Sequence, residues 1–367
     1  VIVASERAVA RVDLDAIRHN ANVLARAADR AELMAVVKAD GYGHGAAPVA
    51  RAALEGGATR LAVATVAEAE ALRAAGLTAP VLIMGPLLGD EMARAVAAGG
   101  EVAVWTPEAA AAAASAGAAA HLKLDTGMGR LGARPEAVAA LVEAACASDL
   151  RVVALWTHFA TADATEGEEA GFFGEQLVRF RAAVGPLRAR FPGAILHAAN
   201  SAATLRDPAA AFDLVRCGIA LYGCSPFERD PAEHGLVPAM AWTSYLASLK
   251  LLRSRESVGY GRTWRAARGA WIGVVPVGYA DGYARALSNR AEVLVGGRRV
   301  PVVGTISMDQ LTIDLGPETD ARVGDEVVLL GAQGEERVRA EELAALRGTI
   351  SYEVTCGVGP RVRRVHA

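Results

Sequence analysis

No two of the four cysteines in this 367-residue chain stand in C-x-x-C spacing. Cys146, Cys217, Cys224 and Cys356 therefore read as reduced thiols, and neither a zinc site nor thioredoxin-type redox chemistry is expected. No metal site is expected elsewhere. The chain also lacks a lysine/arginine-rich run, its aromatic content is 5%, and its formal net charge is −3. That leaves little to neutralise phosphates or stack bases, so no nucleic-acid partner is expected. No stretch of about 18 strongly apolar residues appears, so no membrane span is expected. Hydrophobic content is 53%, but much of it is alanine, and the alanine-rich stretch 109–120 reads as a helix. The opening Val-Ile-Val-Ala-Ser-Glu-Arg has neither a basic n-region nor a long apolar h-region. A signal peptide is not expected, and the location implied is cytoplasmic. Internal repeats and disordered linkers are absent too.

What is present is an alternation. Short apolar runs at Leu33–Val37, Leu61–Thr65, Val81–Met84, Glu101–Trp105, His121–Leu124, Val152–Thr157, Ala194–His197 and Leu214–Arg216 read as strands. Helical segments lie between them, at Pro48–Glu55, Ala67–Ala75, Asp90–Ala98, Pro107–Ala116, Pro135–Ala145 and Gly174–Arg190. Strands alternating with helices imply parallel βαβ units, and about eight repeats imply a TIM-type (β/α)8 barrel. The competing open doubly wound sheet lacks its G-x-G-x-x-G after an early strand. Near residue 237 the pattern changes to short β-like runs, at Ser244–Leu252, Ala270–Pro276, Glu292–Val295, Val300–Gly304, Leu311–Leu315 and Glu326–Leu330. The division expected is residues 1–237 as an α/β barrel and residues 238–367 as a smaller, mostly β domain. Val9–Leu14 adds a strand to one of the two, and Leu14–Leu24 reads as an amphipathic helix capping the barrel.

The segment Val36-Val37-Lys38-Ala-Asp-Gly41-Tyr42-Gly43-His44-Gly45 carries the first chemistry. A lysine at the end of a buried strand either snorkels to solvent or reacts. Burial lowers a lysine pKa, and a neutral amine condenses with a carbonyl. The Schiff base of pyridoxal phosphate is the candidate chemistry. In a TIM barrel the site lies at the C-terminal strand ends. Those ends place Lys38, Met84, Asp125, His158, Asn200 and Arg216 together. Asn200 is a good N-cap, and the loops after strands seven and eight frequently bind phosphate. Ser201, Gly218 and Ile219 form the phosphate cradle expected there.

The lysine segment resembles the cofactor-lysine motif of bacterial alanine racemases, and the resemblance extends over essentially the whole chain. Further matching segments follow in the family's order: His121-Leu-Lys123-Leu-Asp125-Thr-Gly-Met128-Gly-Arg130-Leu-Gly132, Trp156-Thr-His158, Arg216-Cys-Gly218-Ile219, Val258-Gly-Tyr260-Gly, Pro276-Val-Gly-Tyr279-Ala-Asp281, Ile306-Ser-Met308-Asp309 and Ile350-Ser-Tyr352-Glu353. The resemblance implies a racemase that interconverts L- and D-alanine on pyridoxal phosphate and supplies D-alanine for peptidoglycan. It makes Lys38 the cofactor lysine and one of two bases. Tyr260, from the other subunit of a homodimer, is the second. With a reference pKa of ~10, tyrosine is only about 0.1% ionised at pH 7, a deficit of roughly 4 kcal/mol. The resemblance places Arg130 beside this machinery, oriented by Lys123 as a carbamate. It sets Arg216 against the ring nitrogen of the cofactor. An arginine does not readily give up a proton, so that nitrogen stays unprotonated. Tyr42 and Tyr352 join Ser201 at the phosphate, and His158 contacts the cofactor ring. Arg130 and Met308 take the substrate carboxylate, and Tyr279 lines the access route. Asp163, His44 and Asp281 are left turn and surface roles.

Three alternatives share the fold or the cofactor. A racemase preferring serine or a broad range would differ in the side chains near Tyr352 and Tyr279. A non-catalytic cofactor-binding barrel would lack the β domain that carries Tyr260 and Met308. A decarboxylase would have an acidic residue where Arg216 stands.

Overall fold

The computed structural model describes residues 6–367, which form two compact units. One comprises Ala16–Phe227 and Pro231–Val237. The other comprises the described residues up to Asp15, together with Glu228–Asp230 and Pro238–Ala367. The first strand, Val9–Val12 (β1), belongs to the second unit because both its edges are paired there.

The first unit is a closed barrel of eight parallel strands. In order they are Glu32–Val36 (β2), Arg60–Val63 (β3), Val81–Ile83 (β4), Gly100–Val104 (β5), Ala119–Lys123 (β6), Arg151–Trp156 (β7), Ile195–His197 (β8) and Leu214–Cys217 (β9). Closure comes from β9 pairing with β2, with Glu32 opposite Leu214 and Ala35 opposite Cys217. The strands read as continuous apolar runs because most of their residues are buried, as parallel strands covered on both faces require. Local chemistry sets the helix starts. Thr65 accepts from the Glu68 amide while Glu68 accepts from the Thr65 amide, a reciprocal capping box. Thr106 caps a helix that opens on Pro107. The helix Leu14–Ala27 turns Ile17, Asn20 and Leu24 inward. Asn20 donates to the carbonyls of Leu221 and Val237 at 3.1 and 2.8 Å and accepts from the Val237 amide.

The second unit is mostly β. Its further strands are Met240–Tyr245 (β10), Ser248–Leu252 (β11), Ser257–Val258 (β12), Trp264–Arg265 (β13), Ala270–Val275 (β14), Glu292–Val295 (β15), Arg298–Pro301 (β16), Leu311–Gly316 (β17), Glu326–Gln333 (β18), Glu336–Val338 (β19) and Arg363–His366 (β20). One sheet runs β16-β15-β18-β10-β1-β20 with β19 on β18. A second runs β11-β14-β17, and β12 pairs β13. The single strand expected over Ser244–Leu252 is two. The Leu246 amide bonds to Asp325 and the Ala247 amide to Val274, so the chain leaves one sheet and joins the other within two residues. Two helices that the sequence reading did not place, Ala340–Arg347 and Ser351–Cys356, complete the unit.

Candidate active site

Lys38 follows β2, and the backbone beyond it turns left-handed. Ala39, Asp40, Gly41 and Tyr42 have φ of 52°, 49°, 63° and 53°, one turn of the wrong hand for L-residues. Each non-glycine residue there costs roughly 1–2 kcal/mol, so the surroundings must hold the turn. Glu68 accepts from the Ala39 amide at 2.7 Å, and Asp40 accepts from the Ala46 amide at 2.8 Å. His44 Nδ1 lies 3.1 and 3.0 Å from the Gly41 and Tyr42 carbonyls, to which it donates. His44 is buried, which corrects the surface role expected for it. Tyr42 is buried and stacks on Tyr222, whose hydroxyl donates to the Val36 carbonyl.

A second group gathers after β8 and β9. Asn200 caps the helix Ser201–Arg206 through the Ala203 amide at 3.0 Å. The buried Ser201 hydroxyl accepts from the Gly218 amide at 2.9 Å. A Cβ on Gly218 would lie 2.3 Å from the Tyr42 hydroxyl, so only glycine fits this approach. Ile219 opens a 3-10 turn, whose first amides have no partner within the turn. Tyr42 and Ser201 thus bring hydroxyls, and Ile219 a backbone amide, to one place. That donor set fits a phosphate group.

Arg216, on β9, is buried with its charge aimed at neutral acceptors. It donates to His197 Nδ1 at 2.8 Å, to His158 Nδ1 at 3.2 Å, and to the carbonyls of Thr157 and Ala198 at 3.0 Å each. The guanidinium also lies over Trp156 at 4.8 Å. Burial pulls its pKa down to about 9, which still leaves it charged at neutral pH. Burial, and then the Arg216 charge, hold both His158 and His197 well below the usual histidine range. Lys123 donates to the Leu131 carbonyl at 2.9 Å and sits 4.6 Å over Trp156. Burial, then Arg216 and Arg130, lower it to about 8. Arg130 is exposed on the loop after β6. Its charge reaches Lys123 and His158 without a direct hydrogen bond to either.

One residue of this region went unnoticed in the sequence. Gln176 is fully buried on the helix Gly167–Arg190. It accepts from the Ala160 amide at 2.8 Å and donates to Thr126 at 3.2 Å and to the His158 carbonyl at 3.3 Å. It thereby ties the loop that carries Arg130 to the loop that carries His158. A glutamine in an otherwise amphipathic helix gives no sequence signal of this.

The second unit presents its candidate residues outward. Tyr260 is 73% exposed, Met308 52% and Tyr279 42%. The Tyr260 carbonyl accepts from Thr305 at 2.9 Å, and Asn289 ties Thr263 to the Gly304 amide. A cavity of about 380 Å³ is lined by Tyr260, Thr305, Ser307 and Gln310. The Tyr279 and Ala280 amides donate to the carbonyls of Ser307 and Met308. A Cβ on Gly278 would lie 2.3–2.5 Å from those same carbonyl groups, which makes this latch glycine-dependent. Asp281 is buried, accepts from the Gly278 amide at 3.0 Å and pairs with Arg7 and Arg361. Its expected surface role is therefore corrected to a structural one. Tyr352 sits in the helix Ser351–Cys356, whose start is held by Glu228 accepting from the Ser351 amide and hydroxyl.

Among the described residues no cluster of three His, Cys, Asp or Glu side chains could hold a metal, and no helix is long and apolar enough to cross a membrane. The family description "Alanine racemase, N-terminal domain" matches residues 12–226, and "Alanine racemase, C-terminal domain" matches residues 239–366. An alanine racemase of Symbiobacterium thermophilum is 45% identical, over 97% of this chain and 96% of that one. One from Mycolicibacterium smegmatis is 42% identical, over 97% and 93%. Among solved structures, the alanine racemase of Streptomyces coelicolor A3(2) superposes with a TM-score of 0.92 at 42% identity, covering 99% of each chain. That of Bacillus anthracis, solved with bound L-Ala-P, gives 0.90 at 37% identity, covering 99% of this chain and 95% of that one. Family matches to both parts of the chain, and likeness over nearly its whole length in sequence and in fold, agree with the lysine, phosphate and arginine groups of the barrel: the chain belongs to the alanine racemase family.

Proposed function

We propose that this chain interconverts L- and D-alanine with pyridoxal phosphate held on Lys38, and supplies D-alanine for peptidoglycan. The observation that carries the reading is Arg216: a fully buried guanidinium, bonded only to imidazoles and carbonyls. Set against the ring nitrogen of the cofactor, it offers a charge without a transferable proton. When bound, pyridoxal phosphate withdraws electrons from the substrate's α-carbon and so acidifies its proton. Tyr42, Ser201, Gly218 and Ile219 would hold the phosphate, with Asn200 fixing the Ser201 turn. His158 lies against the ring.

Inversion at the α-carbon needs a proton taken from one face and returned to the other. Lys38 Nζ works on one face and the Tyr260 hydroxyl on the other. Tyr260 comes from a second copy of the chain, in a homodimer. The exposure of Tyr260 and Met308 supports this: large side chains held firmly from below and left open above are suited to another surface. Arg130 and Met308 take the substrate carboxylate, and Tyr279 lines the approach. Lys123, lowered to about 8, is roughly one-tenth neutral at pH 7. Its amine can add carbon dioxide and release a proton, and the resulting carbamate pairs with Arg130. A cytoplasmic setting goes with this reading.

The test is D-alanine formation from L-alanine by the purified protein with added pyridoxal phosphate, with L-serine and L-lysine run in parallel. Selective conversion of alanine is expected. Conversion mainly of serine or lysine would reassign the substrate, and no conversion of any despite bound cofactor would overturn the reading.

A further inference from the structure

His121 and His197 are fully buried inside the barrel, and the chemistry proposed above uses neither. They form one continuous hydrogen-bonded chain with Arg216 at its end. Arg216 Nη1 lies 2.8 Å from His197 Nδ1. His197 Nε2 lies 2.9 Å from His121 Nδ1, and His121 Nε2 lies 2.9 Å from Glu101 Oε2. Glu101 in turn accepts from Arg60 at 3.2 Å, and Arg60 reaches Glu32 at 3.2 Å. Glu32, Arg60 and Glu101 stand at or next to the first residue of β2, β3 and β5. Arg216 and His197 stand at or near the last residue of β9 and β8. The chain therefore crosses the barrel interior from its N-terminal rim to its C-terminal mouth.

The two ends dictate every proton between them. A guanidinium only donates and a carboxylate only accepts, while a neutral imidazole carries one N–H and one acceptor. His197 must then accept at Nδ1 and donate from Nε2. His121 must accept at Nδ1 and donate from Nε2 to Glu101. Turning over either ring, or adding a proton to His197, sets donor against donor or acceptor against acceptor. Trp156, stacked on His197 at 5.4 Å with 15° between the planes, fixes the plane of the ring that meets Arg216.

We propose that Glu101, His121 and His197 are positioning residues that anchor Arg216 through a fixed acceptor at the far end of the chain. The carboxylate acts through two imidazoles, which makes His197 a pure acceptor and aims the guanidinium. A carboxylate placed directly on Arg216 would bind it two-pronged and take up the edge that the cofactor needs. The inference rests on the proposed function only for its effect on the cofactor; the proton order stands by itself.

The first experiment reads the proton order in the intact protein at pH 7, by nitrogen NMR of protein labelled with 15N-histidine. Both rings are expected to be neutral with the proton on Nε2. A proton on His197 Nδ1, or a charged His197, overturns the proposal whatever the activity. The second uses Glu101→Leu, His121→Phe and Glu101→Gln, the last keeping an acceptor oxygen for His121. The leucine and phenylalanine variants are expected to lose roughly tenfold in kcat, the size typical of outer-shell partners, with KM little changed. They are also expected to shift the absorption of the bound cofactor. Glu101→Gln is expected to restore the His197 tautomer and most of both signals. Equal behaviour of Glu101→Leu and Glu101→Gln in the NMR spectrum and in the absorption would show a packing role and overturn the proposal. Failure to bind pyridoxal phosphate at all would instead sink the proposed function and leave the proton order to the NMR result.

Discussion

The barrel mouth and the Tyr260–Met308 face solve the same problem in opposite ways. At the mouth the polar groups are sunk into protein. Arg216 is buried on four acceptors, Ser201 and Gln176 are buried on theirs, and the lysine turn holds three non-glycine residues left-handed. In the β-rich unit the side chains stand in the open, while the backbone beneath them is tied down by Thr305, Asn289 and Asp281. A buried group is fixed by its own contacts. An exposed one is only aimed, and becomes fixed when another surface covers it. The first arrangement couples function to fold stability, and the second separates them.

Four changes would break or sharpen that contrast. The largest effect on activity is expected from Tyr260→Phe. Removing a positioned acid–base hydroxyl costs about 10²–10⁴-fold in rate, alike in kcat/KM for the two enantiomers because their equilibrium constant is one, while exchange of the α-proton with solvent should fall more for L-alanine than for D-alanine when Tyr260 serves that face. Because the substitution keeps the ring and removes one hydroxyl, the thermal midpoint should move little. Equal, mild losses of α-proton exchange from the two enantiomers would contradict the two-base scheme. Gly218→Ala probes the opposite limit. Its Cβ meets the Tyr42 hydroxyl, and overpacking of this kind costs about 1–3 kcal/mol. Denaturant unfolding should show that loss and titration with pyridoxal phosphate a weaker affinity, and an unchanged affinity would remove Gly218 from the phosphate site. Gln176→Leu lies between the two. Leaving the Ala160 amide and the Thr126 hydroxyl without this partner costs about 1–3 kcal/mol, and KM for alanine should rise as the Arg130 and His158 loops loosen. A stability loss with unaltered KM would confine Gln176 to the fold.

The fourth change is read as a pH dependence. Lys123 sits near 8 in the folded chain against 10.5 when unfolded. Between those values the unfolded chain binds more protons, so stability should rise with pH across that window. Lys123→Met should flatten the rise. An identical slope in wild type and variant would show that the lysine is not strained by burial, or is already carbamylated.

Much of the barrel could be read from the sequence because each of its strands is a short apolar run buried on both faces, with helix caps such as Thr65 and Thr106 between them. The β-rich unit was less legible for a physical reason: its pairings are remote. Val9–Val12 pairs with residues 240–243 and 363–366, and nothing near residue 9 announces that. Ser244–Leu252 looks like one strand because the two residues at which it changes sheets, Leu246 and Ala247, are apolar as well. The helix Ala340–Arg347 did carry a signal that went unused: Glu341 and Glu342 in its first turn, Arg347 in its last and Gly348 after it. In the site, Lys38, Ser201 and Arg216 were legible from strand ends. His121 and His197 were visible as histidines inside apolar strands, but their partners lie 20 and 76 residues apart in sequence, so the chain they form emerges only in three dimensions.

The left-handed turn after Lys38 has a consequence for chain chemistry. Ala39 sits at φ 52°, which is the natural ground state of the mirror-image residue. A semisynthetic protein with D-alanine at position 39 should therefore be more stable than the encoded one by about 1 kcal/mol, while keeping every side chain of the site. At this residue the ribosome supplies the hand that fits less well.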